Sequence, residues 1–176
     1  ALRWDGQLME LSITGSLPVH LQSPVALSIQ KQSITLGSTK LALSDGYLTI
    51  EQLHWTPKEW KTRGHFSGVA IYPGPREASQ QSAVHLGGRW DWVSDTRLEG
   101  HLHVQREQGD WSLPGAIPQN AGLKTLQLKV DAHDNKLTSS FELSSETIGT
   151  VQAHANLPLQ SATDGWTIPS TAPING

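Results

Sequence analysis

The chain has 176 residues, a formal net charge of -3 and no cysteine. This length suffices for one domain with a sizeable core, and the slight excess of acid argues against a nucleic-acid partner. The lack of cysteine excludes disulfides, thiolate nucleophiles and cysteine-based zinc sites. No apolar run approaches the roughly 20 residues of a membrane helix. Because it starts at Ala1 without a methionine, we expect the chain to be a segment of a longer protein.

The first half alternates apolar and polar residues in short runs, which is typical of strands with one apolar and one polar face. The Asp45-Gly46 pair indicates a hairpin turn between two runs. Thr56 and Pro57 suit the N-cap and the first position of a single helical turn that ends at Trp60. The predicted strands are Leu8–Thr14, Val25–Gln30, Ser33–Leu36, Lys40–Leu43, Tyr47–Trp55 and His65–Tyr72.

The second half continues this alternation, most clearly where Leu126 and Leu128 point one way and Gln127 the other. Its proline and glycine content predicts Pro114–Gly122 to be the longest loop. The predicted strands are Ala83–Val93, Arg97–Arg106, Trp111–Leu113, Leu123–Ala132, Lys136–Leu143 and Thr147–Leu157.

Roughly 11 to 13 strands in hairpin order, without helices for crossovers, predict an all-β fold with a long, mostly antiparallel sheet. Such a twisted sheet closes into a barrel, splits into a sandwich or curls into an open trough, and the residues alone leave these three open. We interpret residues 1–159 as one segment and residues 160–176, rich in Asp, Pro and Gly, as a connector.

The apolar side of these strands is the only extended functional surface that the sequence offers. The pattern by itself fits either the dry core of a sandwich or an accessible lining. Its predicted members are Leu27, Ile29, Leu41, Leu43, Leu48, Ile50, Phe66, Val84, Leu86, Leu102, Val104, Leu126, Leu128, Val130, Phe141, Leu143 and Val151.

The sequence carries no recognisable catalytic or metal-binding motif. His101 and His103 share a strand face, but no third ligand is positioned beside them, so we interpret them as solvated histidines on the polar face. Gly87 and Gly88 lie inside a strand, where a bulge or close packing is the usual reason, and not before a helix as a phosphate loop requires. Acidic residues mostly stand singly in turns, unlike glycosidase pairs. We therefore expect no enzymatic activity, no cofactor and no metal.

Tryptophan is unusually frequent, with seven copies against two phenylalanines. Most of these residues lie near predicted strand ends and turns. The simplest interpretation is that the large rings cap the rims of a core. Stacking on a glycan, in a glycan-binding sandwich, and anchoring at a lipid–water boundary are the functional alternatives.

Five spaced segments stand out in this order: DGYLTIEQLHWTP, GGRWDWVSDTRLEGHLHVQREQGDWSL, LKTLQLKVDAHDNKLTSSFEL, GTVQAHANLPL and DGWTIPSTAPING. In their order and spacing they resemble the TamB family, and the resemblance covers most of residues 45–176. TamB is the long, AsmA-like subunit of the translocation and assembly module of diderm bacteria. It is anchored in the inner membrane and crosses the periplasm towards the outer-membrane barrel TamA.

This resemblance implies a β-taco, an open hydrophobic groove lined by the apolar residues named above. It also implies a function: conducting phospholipid between the inner and outer membranes in support of outer-membrane biogenesis. The implied partners are phospholipid acyl chains and, through the full-length protein, a TamA-like barrel. An alternative is a scaffold that acts with TamA in the insertion of outer-membrane proteins such as autotransporters, with exposed strand edges as the template.

Overall fold

The computed structural model describes residues 3–15, 18–72, 83–113, 119–162 and 165–169. Secondary structure in these ranges is entirely β, and no helix there is long and apolar enough to span a membrane. The strands are β1 (Arg3–Leu8), β2 (Ser12–Ile13), β3 (Val19–Leu21), β4 (Val25–Gln30), β5 (Ser33–Leu36), β6 (Thr39–Leu43), β7 (Tyr47–Trp55), β8 (Trp60–Ile71), β9 (Val84–Ser94), β10 (Leu98–Gly109), β11 (Ser112–Leu113), β12 (Gln119–Asn120), β13 (Leu123–His133), β14 (Lys136–Ser145), β15 (Gly149–Pro158), β16 (Gln160–Ala162) and β17 (Gly165–Thr167).

One antiparallel sheet of 13 strands dominates the structure. Its main path is β1-β4-β5-β7-β8-β9-β10-β13-β14-β15, and a second branch runs from β7 through β6 and β3 to β2. The sheet forks at β7 because the first half of that strand pairs with β6 and its second half with β5. The edge strands β1 and β15 do not pair with each other, so the sheet is open and is not a barrel. The predicted all-β, antiparallel open fold is confirmed.

Most predicted strands are present, and β4, β5 and β7 have the predicted ends. The Asp45-Gly46 turn is also present between β6 and β7, where Gly46 has a φ of 92°. β8, β10, β13 and β14 are longer than predicted; β8, for example, begins at Trp60 and not at His65. The additional residues at the strand ends are mostly polar, so the apolar alternation does not reveal them, although their backbone pairing continues.

The predicted strand Leu8–Thr14 is wrong. The chain instead forms β1, which ends at Leu8, and the two-residue strand β2 in the other branch of the sheet. β1 is an edge strand whose side chains are mostly exposed, so it pairs with β4 without the apolar alternation that a sequence search detects.

The predicted helical turn between Thr56 and Trp60 is wrong as well. The Thr56 hydroxyl accepts the backbone N–H groups of Lys58 (3.3 Å) and Glu59 (2.9 Å), as a helix cap would. However, the Thr56 N–H donates to the Glu59 carbonyl oxygen at 2.7 Å, which closes a hairpin turn. The chain then enters β8 with Trp60 directly opposite Trp55.

The predicted loop Pro114–Gly122 is only partly correct. Gln119–Asn120 pairs with Ser112–Leu113 in a small hairpin, while residues 114–118 lie outside the described ranges. In the segment interpreted as a connector, β16 and β17 form another small hairpin.

Candidate functional site

Residues directly opposed in neighbouring strands show which side chains share a face of the sheet. Opposed residues project to the same side, and alternate residues along each strand do so too. Followed across the whole sheet, these pairings place every member of the predicted lining on one side, which we call the apolar face. One complete row of it is Leu48, Phe66, Gly88, Val104, Leu128, Phe141 and Ala153.

The members of the apolar face differ in exposure. Val84 (0%), Leu143 (7%) and Leu41 (8%) are buried, whereas Ile29 (42%) and Val151 (44%) are exposed. All other members of the predicted lining are half-buried: Leu27, Leu43, Leu48, Ile50, Phe66, Leu86, Leu102, Val104, Leu126, Leu128, Val130 and Phe141.

β-Bulges keep the apolar face continuous where the alternation in the sequence breaks. Apolar residues of β7 recur every second position up to Ile50, but the next one, Leu53, is three positions further. A register shift in the pairing with β8 at this point returns Leu53 to the apolar face. A second shift in β8 does the same between Phe66 and Val69. Sequence analysis therefore missed Leu53 and Val69 as members of the apolar face. The change from two-residue to three-residue spacing is the signal in the sequence that could have identified them.

Three aromatic rings lie over glycines of neighbouring strands on the apolar face. A Cβ atom added to Gly64 would lie 2.5 Å from the Trp90 ring, and one added to Gly88 would lie 2.7 Å from the Phe66 ring. Trp92 covers Gly100 in the same way, at 2.9 Å. Large flat side chains thus cover the positions where a neighbouring strand offers no side chain. The close packing expected at Gly88 is confirmed.

Solvent can reach most of the apolar face. Of its 17 predicted members, three are buried, two are exposed and the other 12 are half-buried. Val84 is the largest side chain that is fully buried among the described residues. A closed sandwich of this size would bury the facing side chains of most of its strands. The described part of the chain therefore has an open apolar face with a small core at one end.

That core lies beneath the connection between β10 and β13. Val84, Ala121, Leu123 and Leu143 form its buried centre. Asp110 holds the connection in place, because its carboxylate accepts the backbone N–H groups of Trp111 (2.8 Å), Gly122 (2.9 Å) and Leu123 (3.1 Å). Burial opposes ionisation of Asp110, but these donors outweigh it, and its pKa lies below the usual value.

A cavity of about 910 Å³ lies at the opposite ends of the strands. It is bounded by the β7–β8 turn, the β9–β10 turn and the β16–β17 hairpin. Trp55, Trp60 and Trp166 line it, and the Trp166 indole N–H donates to the buried Ser94 hydroxyl at 2.9 Å. The prediction that most tryptophans lie near strand ends holds for these three and also for Trp4 in β1 and Trp111 beside β11, whereas Trp90 and Trp92 lie in the middle of the sheet.

All eight histidines project to the other side of the sheet, the polar face. His101 is exposed, and His103 is half-buried beside Gln127, with 2.6 Å between their Nε2 atoms. Burial, followed by the charges of Lys129 and Arg89, lowers the pKa of His103. His101 and His103 thus lie on the polar face as interpreted from the sequence.

Among the described residues, one group brings three potential metal ligands within 4.8 Å of one another: Glu99, His133 and Asp134. His133 lies between the two carboxylates, with 2.6 Å from Nδ1 to Glu99 and 3.2 Å from Nε2 to Asp134. The hydrogen bond to Glu99 and the charge of Asp134 raise the pKa of His133. These contacts describe an imidazole ring held between two acids in an exposed hairpin turn, and such a cluster needs no metal.

Comparison of the chain with family profiles, curated proteins and solved structures gave no match.

Proposed function

We propose that this chain is a non-enzymatic, periplasmic segment of a TamB-like envelope protein that carries phospholipid along its apolar face. The whole protein would be anchored in the inner membrane, reach the outer membrane and meet a TamA-like barrel there. The observation that best supports the proposal is the row of half-buried apolar side chains from Leu48 to Phe141 on an open sheet, in which the Phe66 ring covers Gly88.

The energetics of lipid transfer favour such a surface. Each methylene moved from water to an apolar surface gains ~0.8 kcal/mol, so two acyl tails resist entry into water by tens of kcal/mol. Aliphatic side chains on an open sheet offer the tails an environment similar to the bilayer interior, which removes most of this barrier. A dry sandwich core would offer no such path. Exposed but apolar side chains are therefore the feature that the function requires.

Photo-crosslinking tests the proposal directly. A benzophenone side chain introduced at Leu128 or Phe141, in the protein in its native cells, should form adducts with phospholipid. Lys129 and Ser140 are matched controls, because each is adjacent to a test position in the same strand and projects to the polar face. Adducts at the first two positions and none at the controls would support the proposal. No lipid at any position, or equal amounts at all four, would refute it.

A charge on the apolar face provides a second test. Leu128→Asp would place a carboxylate against the acyl chains, and burying it there is unfavourable. We expect loss of lipid transfer and a weakened outer membrane, while Lys129→Asp on the polar face should leave both intact. Normal envelope integrity in Leu128→Asp cells would count against the proposal.

The edge strand β15 favours the alternative function, a scaffold for outer-membrane protein insertion. It has 10 residues, carries no formal charge and pairs only with β14 in the described sheet. Uncharged edges of this length readily accept another strand. If the scaffold hypothesis is correct, proline substitutions in β15 should impair outer-membrane protein assembly more than Leu128→Asp does. The opposite order would favour lipid transport.

A further inference from the structure

The cavity at the tryptophan-rich end of the sheet adjoins the apolar face. Trp55, Trp60 and Ser94 are opposed to one another in a single row at the ends of their strands. The adjacent row contains Leu53 and Trp92, which belong to the apolar face. A molecule seated in the cavity could therefore extend an apolar tail onto that face without crossing the sheet.

Hydrogen bonds fix the walls of this cavity. The Thr56 hydroxyl holds the turn that carries Lys58, as described above. On the opposite wall, the Asp95 carboxylate accepts the Arg97 N–H at 2.8 Å and the Thr96 hydroxyl at 3.3 Å. The hydrogen bond between Trp166 and Ser94 attaches the β16–β17 hairpin to β9. A site with its walls already in place loses little freedom when a ligand binds.

The described residues that line the cavity carry three charges, on Lys58, Glu59 and Asp95. Glu59 pairs with Lys61 at 2.7 Å, whereas Lys58, on the β7–β8 turn, makes no ion pair among the described residues. Asp95, on the β9–β10 turn, makes no ion pair in that part of the chain either, and its charge acts on Lys61 only at longer range. Its hydrogen bonds, with the one from the Arg97 N–H first, lower the pKa of Asp95, so the carboxylate is ionised at neutral pH.

We infer that this cavity binds the zwitterionic headgroup of an amine-bearing phospholipid, an inference that rests on the proposed lipid-carrying function. Lys58 would pair with the phosphate, and Asp95 together with the surrounding indoles would receive the ammonium group. Aromatic rings attract ammonium ions through their negative faces, and tryptophan does so best. A headgroup with an anionic phosphate and no amine would meet Lys58 but leave Asp95 as a repulsive neighbour.

Binding of short-chain lipids to the whole chain tests this inference. Dihexanoyl phosphatidylcholine and dihexanoyl phosphatidylglycerol have the same tails and differ in the amine. We would follow the Trp166 indole N–H signal by NMR, assigned through Trp166→Phe. The choline lipid should shift this signal and bind more tightly than the glycerol lipid. Equal affinity for the two lipids would overturn the inference.

Two variants locate the preference for the amine. Asp95→Asn keeps the hydrogen-bond acceptor of the turn and should weaken choline-lipid binding about two- to fivefold, the range for an exposed ion pair. Asp45→Asn, in a turn outside the cavity, should have no effect. Trp166→Ala lacks the Trp166 reporter, so its binding is followed through the Trp60 indole N–H signal in the same cavity. It should weaken binding by about tenfold, the size of a partly desolvated cation–π contact, and Trp4→Ala is its control. Equal effects of Asp95→Asn and Asp45→Asn would overturn the inference.

These outcomes separate the inference from the proposed function. If benzophenone at Leu128 captures lipid but the choline lipid has no advantage, the headgroup site is wrong and the conduit survives. If neither lipid binds and Leu128 captures nothing, both fail. If Trp166→Ala releases the hairpin, seen as altered signals from Trp60, the Asp95→Asn comparison decides the inference alone.

Discussion

Replacing Gly64 by alanine should destabilise the sheet through steric conflict with two neighbouring strands. The added Cβ would lie 2.5 Å from Cζ2 of Trp90 and also press on the carbonyl oxygen of Thr49. Carbon atoms in contact prefer about 3.5–4.0 Å, so the ring must withdraw by roughly 1 Å. Overpacking of this kind costs about 1–3 kcal/mol. Withdrawal also breaks the 3.0 Å bond from the Trp90 indole N–H to the Thr62 hydroxyl, which adds about 1 kcal/mol.

The expected loss in the free energy of unfolding is therefore about 2–4 kcal/mol, which for a chain of this size lowers Tm by roughly 5–15 °C. Urea unfolding followed by circular dichroism measures it. Gly37→Ala is the control, because its nearest neighbours lie at 3.4–3.5 Å and it has no positive φ. We expect that variant to stay within about 1 kcal/mol of the wild type. Wild-type stability in Gly64→Ala, together with an unmoved Trp90 indole signal, would refute the proposed packing.

Three further predictions concern the core, the β10–β13 connection and the exposed ion cluster. Leu143→Ala should lower the free energy of unfolding by about 2–4 kcal/mol because Leu143 is buried. Val151 lies directly opposite and is exposed, so Val151→Ala should lower it by less than about 1 kcal/mol. Equal losses in urea unfolding would contradict the open face. Asp110→Ala removes three acceptor contacts and should cost about 1–3 kcal/mol; an unchanged unfolding midpoint would show that these contacts contribute nothing. His133 has a raised pKa, so the stability that its ion pairs add to the folded state is complete below about pH 6.5. This stability is lost as the pH rises through the pKa of His133 in the folded protein. The hydrogen bond with His133 lowers the pKa of Glu99, so the stability that Glu99 adds is lost as the pH falls through that pKa. NMR titration of Glu99→Gln should give His133 a lower pKa than in the wild type, and an unchanged value would refute the pairing.

The sequence predicted the fold class and the facing of the apolar residues because both follow from a period of two. Val25–Gln30 and Tyr47–Trp55 were found with their ends since apolar residues recur along them and turn residues flank them. The forked sheet could not be predicted in the same way. It depends on β6 and β5 pairing with the first and second halves of the same strand, β7, and no local pattern records that two short strands share one neighbour.

The site was only partly predictable for a related reason. Alternation identifies which residues share a face, but it does not show whether another layer covers that face, so exposure at Leu128 required the structure. The cavity at the tryptophan-rich end could not be predicted from the sequence, because it depends on long-range contacts. Trp166 meets Ser94 across 72 residues of chain, and no local pattern records that hydrogen bond.

Single-cysteine labelling tests the openness of the apolar face most directly, since the chain has no cysteine of its own. In lipid-free protein, Leu128→Cys should react with a maleimide at a rate close to that of Lys129→Cys on the polar face. Val84→Cys, in the buried core, should react far more slowly. Added phospholipid should then protect Leu128→Cys and leave Lys129→Cys unchanged. A Leu128→Cys thiol as unreactive as the one at Val84 would mean a sealed face, and the account of lipid transport would be contradicted.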